Sequence, residues 1–226
     1  MQTKEFDFNG HRATVIIPDR PNGKWIWKTE FLYAFDGAEW ALLDRGYTRV
    51  YYSVSDKYGS YGAVRLMHAF HRYLVEEAGL GLQRKCILFG FSRGGLYAFN
   101  YALFYPELVE RIYLDAPVLD MRSWPGEGTV EREQVYGEFD LTKETIRGFK
   151  GHPVCNLEEF FSLGIPLMLV AGDSDTVVPF TQNGEVLLKY AEKRGIAVRS
   201  IVKKGCDHHP HSLEDVTPFI DFVEGR

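Results

Sequence analysis

Residues 86–95 read Cys86-Ile87-Leu88-Phe89-Gly90-Phe91-Ser92-Arg93-Gly94-Gly95. A short apolar run leads into Gly-x-Ser-x-Gly, and the helical spacing Leu96, Phe99, Tyr101, Leu103 follows as far as Pro106. A strand, a sharp turn with serine at its tip and then a helix is the context that a nucleophile elbow requires. The spelling has a steric reason. A serine at such a turn sits in a strained backbone conformation, and strand and helix approach closely only if the residues two positions to either side lack a Cβ. Gly90 and Gly94 meet that demand. The helix that begins after Ser92 directs its free N–H groups and positive end at the hydroxyl, which favours negative charge on a reacting oxygen.

Toward the N-terminus, Phe6, Phe8 and the apolar run Ala13 to Ile17 flank Asn9-Gly10, a dipeptide suited to a tight hairpin turn. Trp25-Ile26-Trp27 is a short third strand. Ala38 to Arg45 is predicted helical and stopped by Gly46, Arg49 to Val54 forms a strand, and Ala63 to Glu77 forms a helix that ends at Gly79. Toward the C-terminus the strands are Ile112 to Leu114, Leu167 to Ala171 and Val198 to Val202, with helices at Gly184 to Arg194 and Thr217 to Val223 between and after them. Short apolar runs alternating with amphipathic helices imply a mostly parallel sheet covered on both faces, because only such a sheet buries both sides of a strand. The class is therefore α/β, with an N-terminal β-hairpin, in one domain spanning 1–226. The segment 120–162, which includes the turn-rich Trp124-Pro125-Gly126-Glu127-Gly128, breaks the rhythm. A connection of that length where a few residues suffice reads as a lid-like insertion.

A serine hydroxyl is a weak nucleophile that needs a base, and the base needs an orienting carboxylate. After the strand at 167–171 comes Gly172-Asp173-Ser174-Asp175-Thr176-Val177-Val178-Pro179, which places acids just beyond a strand's C-terminal end, where open α/β sheets bind ligands. Asp175 is the expected orienter; Asp173, nearer the strand, is expected to shape the turn. After the strand at 198–202, Gly205-Cys206-Asp207-His208-His209-Pro210-His211 brings three histidines to another strand end, one of them the base. Asp115, at the end of the strand at 112–114, is a second possible orienter, although a charge-balancing role suits it better.

The Gly-Phe-Ser-Arg-Gly-Gly elbow, the Gly-Asp-x-Asp-x-Val-Val-Pro loop and the Gly-x-x-His-His-Pro-His-Ser-Leu loop, in the order Ser, acid, His, resemble the α/β-hydrolase superfamily across essentially the whole chain, in particular its small bacterial esterase-like members. That resemblance implies Asp175 as the acid, His208 as the base, and His209 and His211 as neighbours. It also implies two oxyanion donors. One is the Arg93 backbone N–H; the other normally comes from a His-Gly or His-Gly-Gly-Gly loop after the third strand. Here that stretch is Trp27-Lys28-Thr29-Glu30-Phe31, without such glycines, so the backbone of Thr29 or Glu30 is nominated in its place. Trp124 is the candidate substrate-binding residue, and Trp25 and Trp27 are expected in the core or pocket wall.

The remaining features are exclusions. With 26 Lys and Arg against 31 Asp and Glu and no basic block, the formal charge of −5 argues against nucleic acid or an anionic membrane surface as a partner. No apolar run approaches a membrane span. Three unpaired cysteines, Cys86, Cys155 and Cys206, form neither a disulfide framework nor a metal-binding Cys pair. Adjacent histidines on a loop are not expected to converge on one ion, so no metal and no cofactor is expected. His11, His68, His71 and His152 read as structural. The N-terminus lacks a secretory h-region and points to the cytoplasm, or to the periplasm or exterior if a leader was removed. The expected activity is hydrolysis of a small-molecule carboxylic ester, in the finer form a carbohydrate-linked acyl ester, through an acyl-serine. The alternatives are peptide or thioester cleavage, cofactor-free perhydrolysis, or a non-catalytic binding module on the same scaffold. Nothing in the sequence fixes the oligomeric state.

Overall fold

A computed structural model describes residues 1–226 as one eight-stranded sheet with helices on both faces. The strands are β1 (Gln2–Phe8), β2 (His11–Ile17), β3 (Trp25–Lys28), β4 (Thr48–Tyr52), β5 (Cys86–Phe91), β6 (Val109–Asp115), β7 (Leu167–Gly172) and β8 (Arg199–Lys203), in spatial order β1-β2-β4-β3-β5-β6-β7-β8. β1 and β2 pair antiparallel across Asn9 (φ +52) and Gly10 (φ +80), the left-handed pair that a two-residue hairpin turn demands. β2 meets β4 antiparallel, and every later pairing is parallel. Parallel strands that share a direction bring the ends of β5, β6, β7 and β8 to one edge, and that shared edge makes a composite site possible.

The helices are α1 (Gly37–Leu43), α2 (Tyr61–Arg72, prolonged by a π-helical turn to Glu77), α3 (Gly94–Phe104), α4 (Val130–Phe139), α5 (Leu157–Ser162), α6 (Gly184–Arg194) and α7 (Thr217–Glu224). One face of the sheet packs Trp25, Trp27, Val50 and Leu88 against α2 and α3; the other packs Ile26, Phe89, Tyr113 and Val170 against α1 and α7. Trp25 and Trp27 are fully buried and stack on each other, as expected of core residues. No helix is long and apolar enough to cross a membrane.

Between β6 and β7 the chain leaves the sheet and returns. The excursion has its own small core, in which Val135 and Ile146 join Tyr58, Leu96, Val118 and Val178. Its last piece, α5, lies on α3 with Phe160 stacked on Phe99 at 4.3 Å. That helix is the crossover which two parallel strands require, so the excursion proper is shorter than 120–162.

One part of the fold runs against hydrophobic patterning. Lys28, Glu39 and Arg49 are all fully buried, next to the loop that joins β3 to α1. Lys28 Nζ lies 2.6 Å from Glu39 Oε1 and sits over the Phe91 ring at 4.1 Å; Arg49 reaches the same carboxylate at 3.7 Å and Asp36 at 2.9 Å. Burial pushes the Glu39 carboxyl up and the Lys28 ammonium down, and each partly draws the other back. The two cations also donate to the Ala34 and Leu32 carbonyls, which ties the 29–36 loop down beside the nucleophile elbow. Breaking a buried pair from one side leaves an uncompensated charge. Glu39→Ala should therefore lower unfolding free energy by about 3–5 kcal/mol, read as a shift of the urea midpoint at unchanged slope. A loss below about 1 kcal/mol would mean that the two cations find other compensation.

Candidate active site

Ser92 has φ +51, the strained left-handed turn expected of an elbow. Its N–H donates to Asp115 O (2.9 Å) and its carbonyl accepts from Val118 N–H (2.9 Å), so the turn is stapled to the chain leaving β6. A Cβ on Gly90 would stand 2.9 Å from the Ala98 Cβ and the Gly94 carbonyl, and one on Gly94 would stand 2.9 Å from Thr29 Oγ1 and 3.1 Å from Glu30 Cβ. Both glycines are thus fixed by close approach, as the motif implied.

The structure brings Ser92, His208 and Asp175 together. Ser92 Oγ lies 3.0 Å from His208 Nε2, and His208 Nδ1 lies 2.7 Å from Asp175 Oδ2. A carboxylate only accepts, so Nδ1 carries the proton and Nε2 presents its lone pair to the serine hydroxyl. The other Asp175 oxygen, Oδ1, accepts from the N–H groups of Val177 (2.9 Å) and Val178 (2.8 Å), which locks the carboxylate. All three side chains are nearly buried.

The acid and histidine loops are held to each other as well as to the sheet. Ser174 N–H donates to Cys206 O, Thr176 N–H to Asp207 Oδ1, and Gly205 N–H to Asp173 Oδ1. Asp173, expected to shape its own turn, instead holds a backbone N–H of the histidine loop across the gap. The N–H groups of Thr176 and His208 and the Thr176 hydroxyl hold the Asp207 carboxyl below its usual range. Gly172 is required where these loops meet, because a Cβ there would fall 2.2 Å from the Cys206 carbonyl.

Asp115 has a partner that the sequence did not disclose. It lies 2.7 Å from His211 Nδ1 through Oδ1, and its Oδ2 accepts from the Ser212 N–H (2.8 Å) and from the Tyr113 hydroxyl. It orients His211, not His208. Two buried carboxylate–imidazole pairs thus stand side by side, with the His208 and His211 rings 4.7 Å apart. One ring nitrogen from each of His208, His209 and His211 lies within 4.8 Å of the other two. The three rings stand at 72°, 78° and 88° to one another. Burial, followed by the neighbouring His211 and His208, lowers the His209 pKa.

For the oxyanion, the nomination of Thr29 is corrected. Its N–H donates to Phe89 O at 3.0 Å, continuing the β3–β5 ladder, and its hydroxyl donates to Gly94 O at 2.8 Å, so neither is free. Glu30 and Arg93 N–H groups make no hydrogen bond, and Gly94 packs against the Glu30 backbone. The Glu30 side chain, also buried, accepts from Arg93 Nε at 3.0 Å; burial outweighs that cation and pushes the Glu30 carboxyl up. Trp124 is half-buried and leans on Tyr58 at 6.2 Å, within the excursion's core. Aromatic rings also stand on the 31–35 loop: Phe31 under the Arg93 guanidinium (5.1 Å), and Phe35 stacked on His209 (5.7 Å). His71 and His152 are buried and bonded to the Arg84 and Ile146 carbonyls, His11 lies against the Ser53 carbonyl and His68 stacks on Tyr105, in line with structural roles.

A profile of the prolyl oligopeptidase family matches residues 45–224. None of the curated protein sequences compared with the chain matches it. Among solved structures, dipeptidyl peptidase 4 of Porphyromonas gingivalis superposes with a TM-score of 0.70 at 14% identity, over 99% of this chain and 34% of that one. A protein described as a dipeptidyl aminopeptidase IV of Bacteroides ovatus gives 0.72 at 12%, over 99% and 35%. The carboxylesterase Cest-2923 of Lactobacillus plantarum gives 0.66 at 16%, over 92% and 85%. The chain spans about a third of the length of the first two. At these identities the likeness is one of fold, and the fold is that of the α/β-hydrolases expected from the three motifs.

Proposed function

The chain belongs to the prolyl oligopeptidase family, hydrolases of the α/β-hydrolase type, and from that premise we propose that it cleaves carboxylic esters through an acyl-serine intermediate. The observation that carries this reading is the relay Ser92 Oγ, His208 Nε2, His208 Nδ1, Asp175 Oδ2, with contacts of 3.0 and 2.7 Å. Ser92 attacks the carbonyl while His208 takes its proton. Asp175 holds the imidazole in the required tautomer and stabilises its cation. The free N–H groups of Arg93 and Glu30 receive the negative oxygen, His208 returns the proton to the departing alcohol, and water repeats the sequence to release the acid. No cofactor enters the scheme.

Support for an ester comes from two sides. The carboxylesterase relative is matched over most of its own length, whereas the peptidases are matched over a third. The site's rim is aromatic, with Phe31 and Phe35 each more than a third exposed and Tyr33 61% exposed beside them. Flat apolar faces of this kind suit a sugar ring, which favours an acyl group carried on a carbohydrate as the finer substrate class. The family match favours a second reading, peptide cleavage. An acetylated sugar and a Gly-Pro anilide separate the two. The expected kcat/KM ratio exceeds about 100 in favour of the acetyl ester, equivalent to roughly 2.7 kcal/mol of transition-state discrimination. A ratio in favour of the anilide would make the protein a peptidase.

A further inference from the structure

We propose that His208, His209 and His211 form a Zn²⁺ site that switches the enzyme off by capturing its general base. The inhibitory consequence rests on the serine-hydrolase reading above; the binding site itself does not.

The cluster already has the chemistry of a metal site. Metal-ligating histidines almost always donate one ring N–H to a carboxylate or carbonyl, which fixes the tautomer and leaves the other nitrogen unprotonated. His208 and His211 do so toward Asp175 and Asp115, each at 2.7 Å, so both offer Nε2. These imidazoles are 5% and 6% exposed, their carboxylates are buried, and neither pair can drift without breaking contacts to backbone N–H groups. His209 is exposed and stacked on Phe35, so it stands at the mouth as the third nitrogen.

The geometry needs little adjustment. Zn–N bonds of about 2.0–2.1 Å in a tetrahedral shell put ligand nitrogens roughly 3.3 Å apart. The three ligand nitrogens lie within 4.8 Å of one another, so the closure needed is at most about 1.5 Å, and the exposed His209 is the side chain free to turn. Three His nitrogens leave a fourth position for water or for the Ser92 hydroxyl, which is 3.0 Å from His208 Nε2. Two buried carboxylates behind the imidazoles balance the charge of the ion. A metal on Nε2 occupies the lone pair that would otherwise accept the serine proton, so the bound state is inactive.

The test titrates ZnCl₂ into the protein in a calorimeter without substrate, and in parallel into an assay with an acetyl ester. The expected result is one Zn²⁺ per chain, inhibition with the same midpoint, and full recovery on adding EDTA. His209 lies outside the hydrolytic relay and its side chain is exposed. His209→Ala should therefore weaken both midpoints by at least about tenfold, since losing even an outer partner of a ligand costs that much, with metal-free kcat/KM within about twofold of the parent. Cys206→Ser should leave both midpoints in place. Absence of saturable one-to-one binding, undiminished affinity in His209→Ala, or loss of binding in Cys206→Ser would each overturn the site. If the protein hydrolyses no ester, the calorimetric isotherm still decides whether the three histidines hold the ion.

Discussion

Ser92→Ala is expected to lower kcat on an acetyl ester by about 10⁶, the scale seen when a serine nucleophile is removed from a triad, and to leave a residue of about 10³ over water from oxyanion and binding contacts alone. The fold should not register the change. Ser92 is at φ +51 and its backbone N–H and carbonyl are bonded to Asp115 and Val118; an alanine keeps the same Cβ and backbone groups, so only the Oγ contact to His208 should be lost. The urea midpoint should therefore correspond to a stability within about 0.5–1 kcal/mol of the parent. The same substitution should abolish labelling by a fluorophosphonate probe. Retained turnover with an intact fold would remove the serine route altogether. Lost turnover together with lost stability would require repeating the measurement with Ser92→Cys, which keeps the Cβ–heteroatom bond and should label with a thiol reagent. This pair of measurements also separates an enzyme from a binding module on a hydrolase scaffold, since a module has no reactive hydroxyl to label.

What was legible in the chain follows a physical division. Elements whose formation depends on neighbours in sequence were legible: the hairpin at Asn9-Gly10, the helix stop at Gly46 (φ +91), the α6 span Gly184–Arg194 and the elbow itself. The meeting of residues 92, 175 and 208 was legible for a different reason. A parallel sheet puts every strand's C-terminal end on one edge, so three polar motifs, each just after an apolar run, are neighbours once the sheet is granted. Pairings without a local signature were hidden. Nothing in Trp25-Ile26-Trp27-Lys28 announces that a four-residue strand lies in the middle of the sheet, between β4 and β5. It followed that Thr29 N–H, next in line, would continue the ladder to Phe89 and be lost to the oxyanion.

The buried charges were hidden in the same way. Charged side chains are almost never fully buried unless paired, and the pairing of Glu39 with Lys28 and Arg49, 11 and 10 positions away, leaves no periodic trace. Trp124 drew attention as a large ring in a turn-rich segment, and its ring partner, Tyr58, comes from between β4 and α2, a pairing with no trace in the sequence. The rings beside the histidines come from the 31–35 loop, whose position depends on that buried charge cluster. The pair Asp115 and His211 was the most consequential omission. Asp115 was noticed at a strand end and His211 on the histidine loop, but three histidines within four positions offer no local means of assigning two acids among them.

That assignment can be measured, and the expected outcome is asymmetric. Asp175→Asn should lower kcat by about 10⁴, close to the effect of losing the base's correct tautomer in other serine hydrolases. The direction follows from the hydrogen bonds that residue 175 makes. Oδ1 of residue 175 accepts from two backbone N–H groups, Val177 and Val178, so an asparagine must keep its carbonyl oxygen there and turn its NH₂ toward His208. An NH₂ facing Nδ1 demands a lone pair on Nδ1, which moves the imidazole proton to Nε2 and points it at Ser92, where a base is needed. Asp115→Asn repeats the same logic on the other pair. Ser212 N–H and the Tyr113 hydroxyl hold one oxygen, so the new NH₂ faces His211 and inverts that tautomer alone. Because His211 makes no hydrogen bond to Ser92, kcat should fall by less than about tenfold, through slight movement of the histidine loop. Steady-state rates on one acetyl ester, taken with urea midpoints for both variants, decide the matter. If Asp115→Asn proved the more damaging at equal stability, the proton relay would have to run through His211, and the roles given to the two carboxylates would be exchanged.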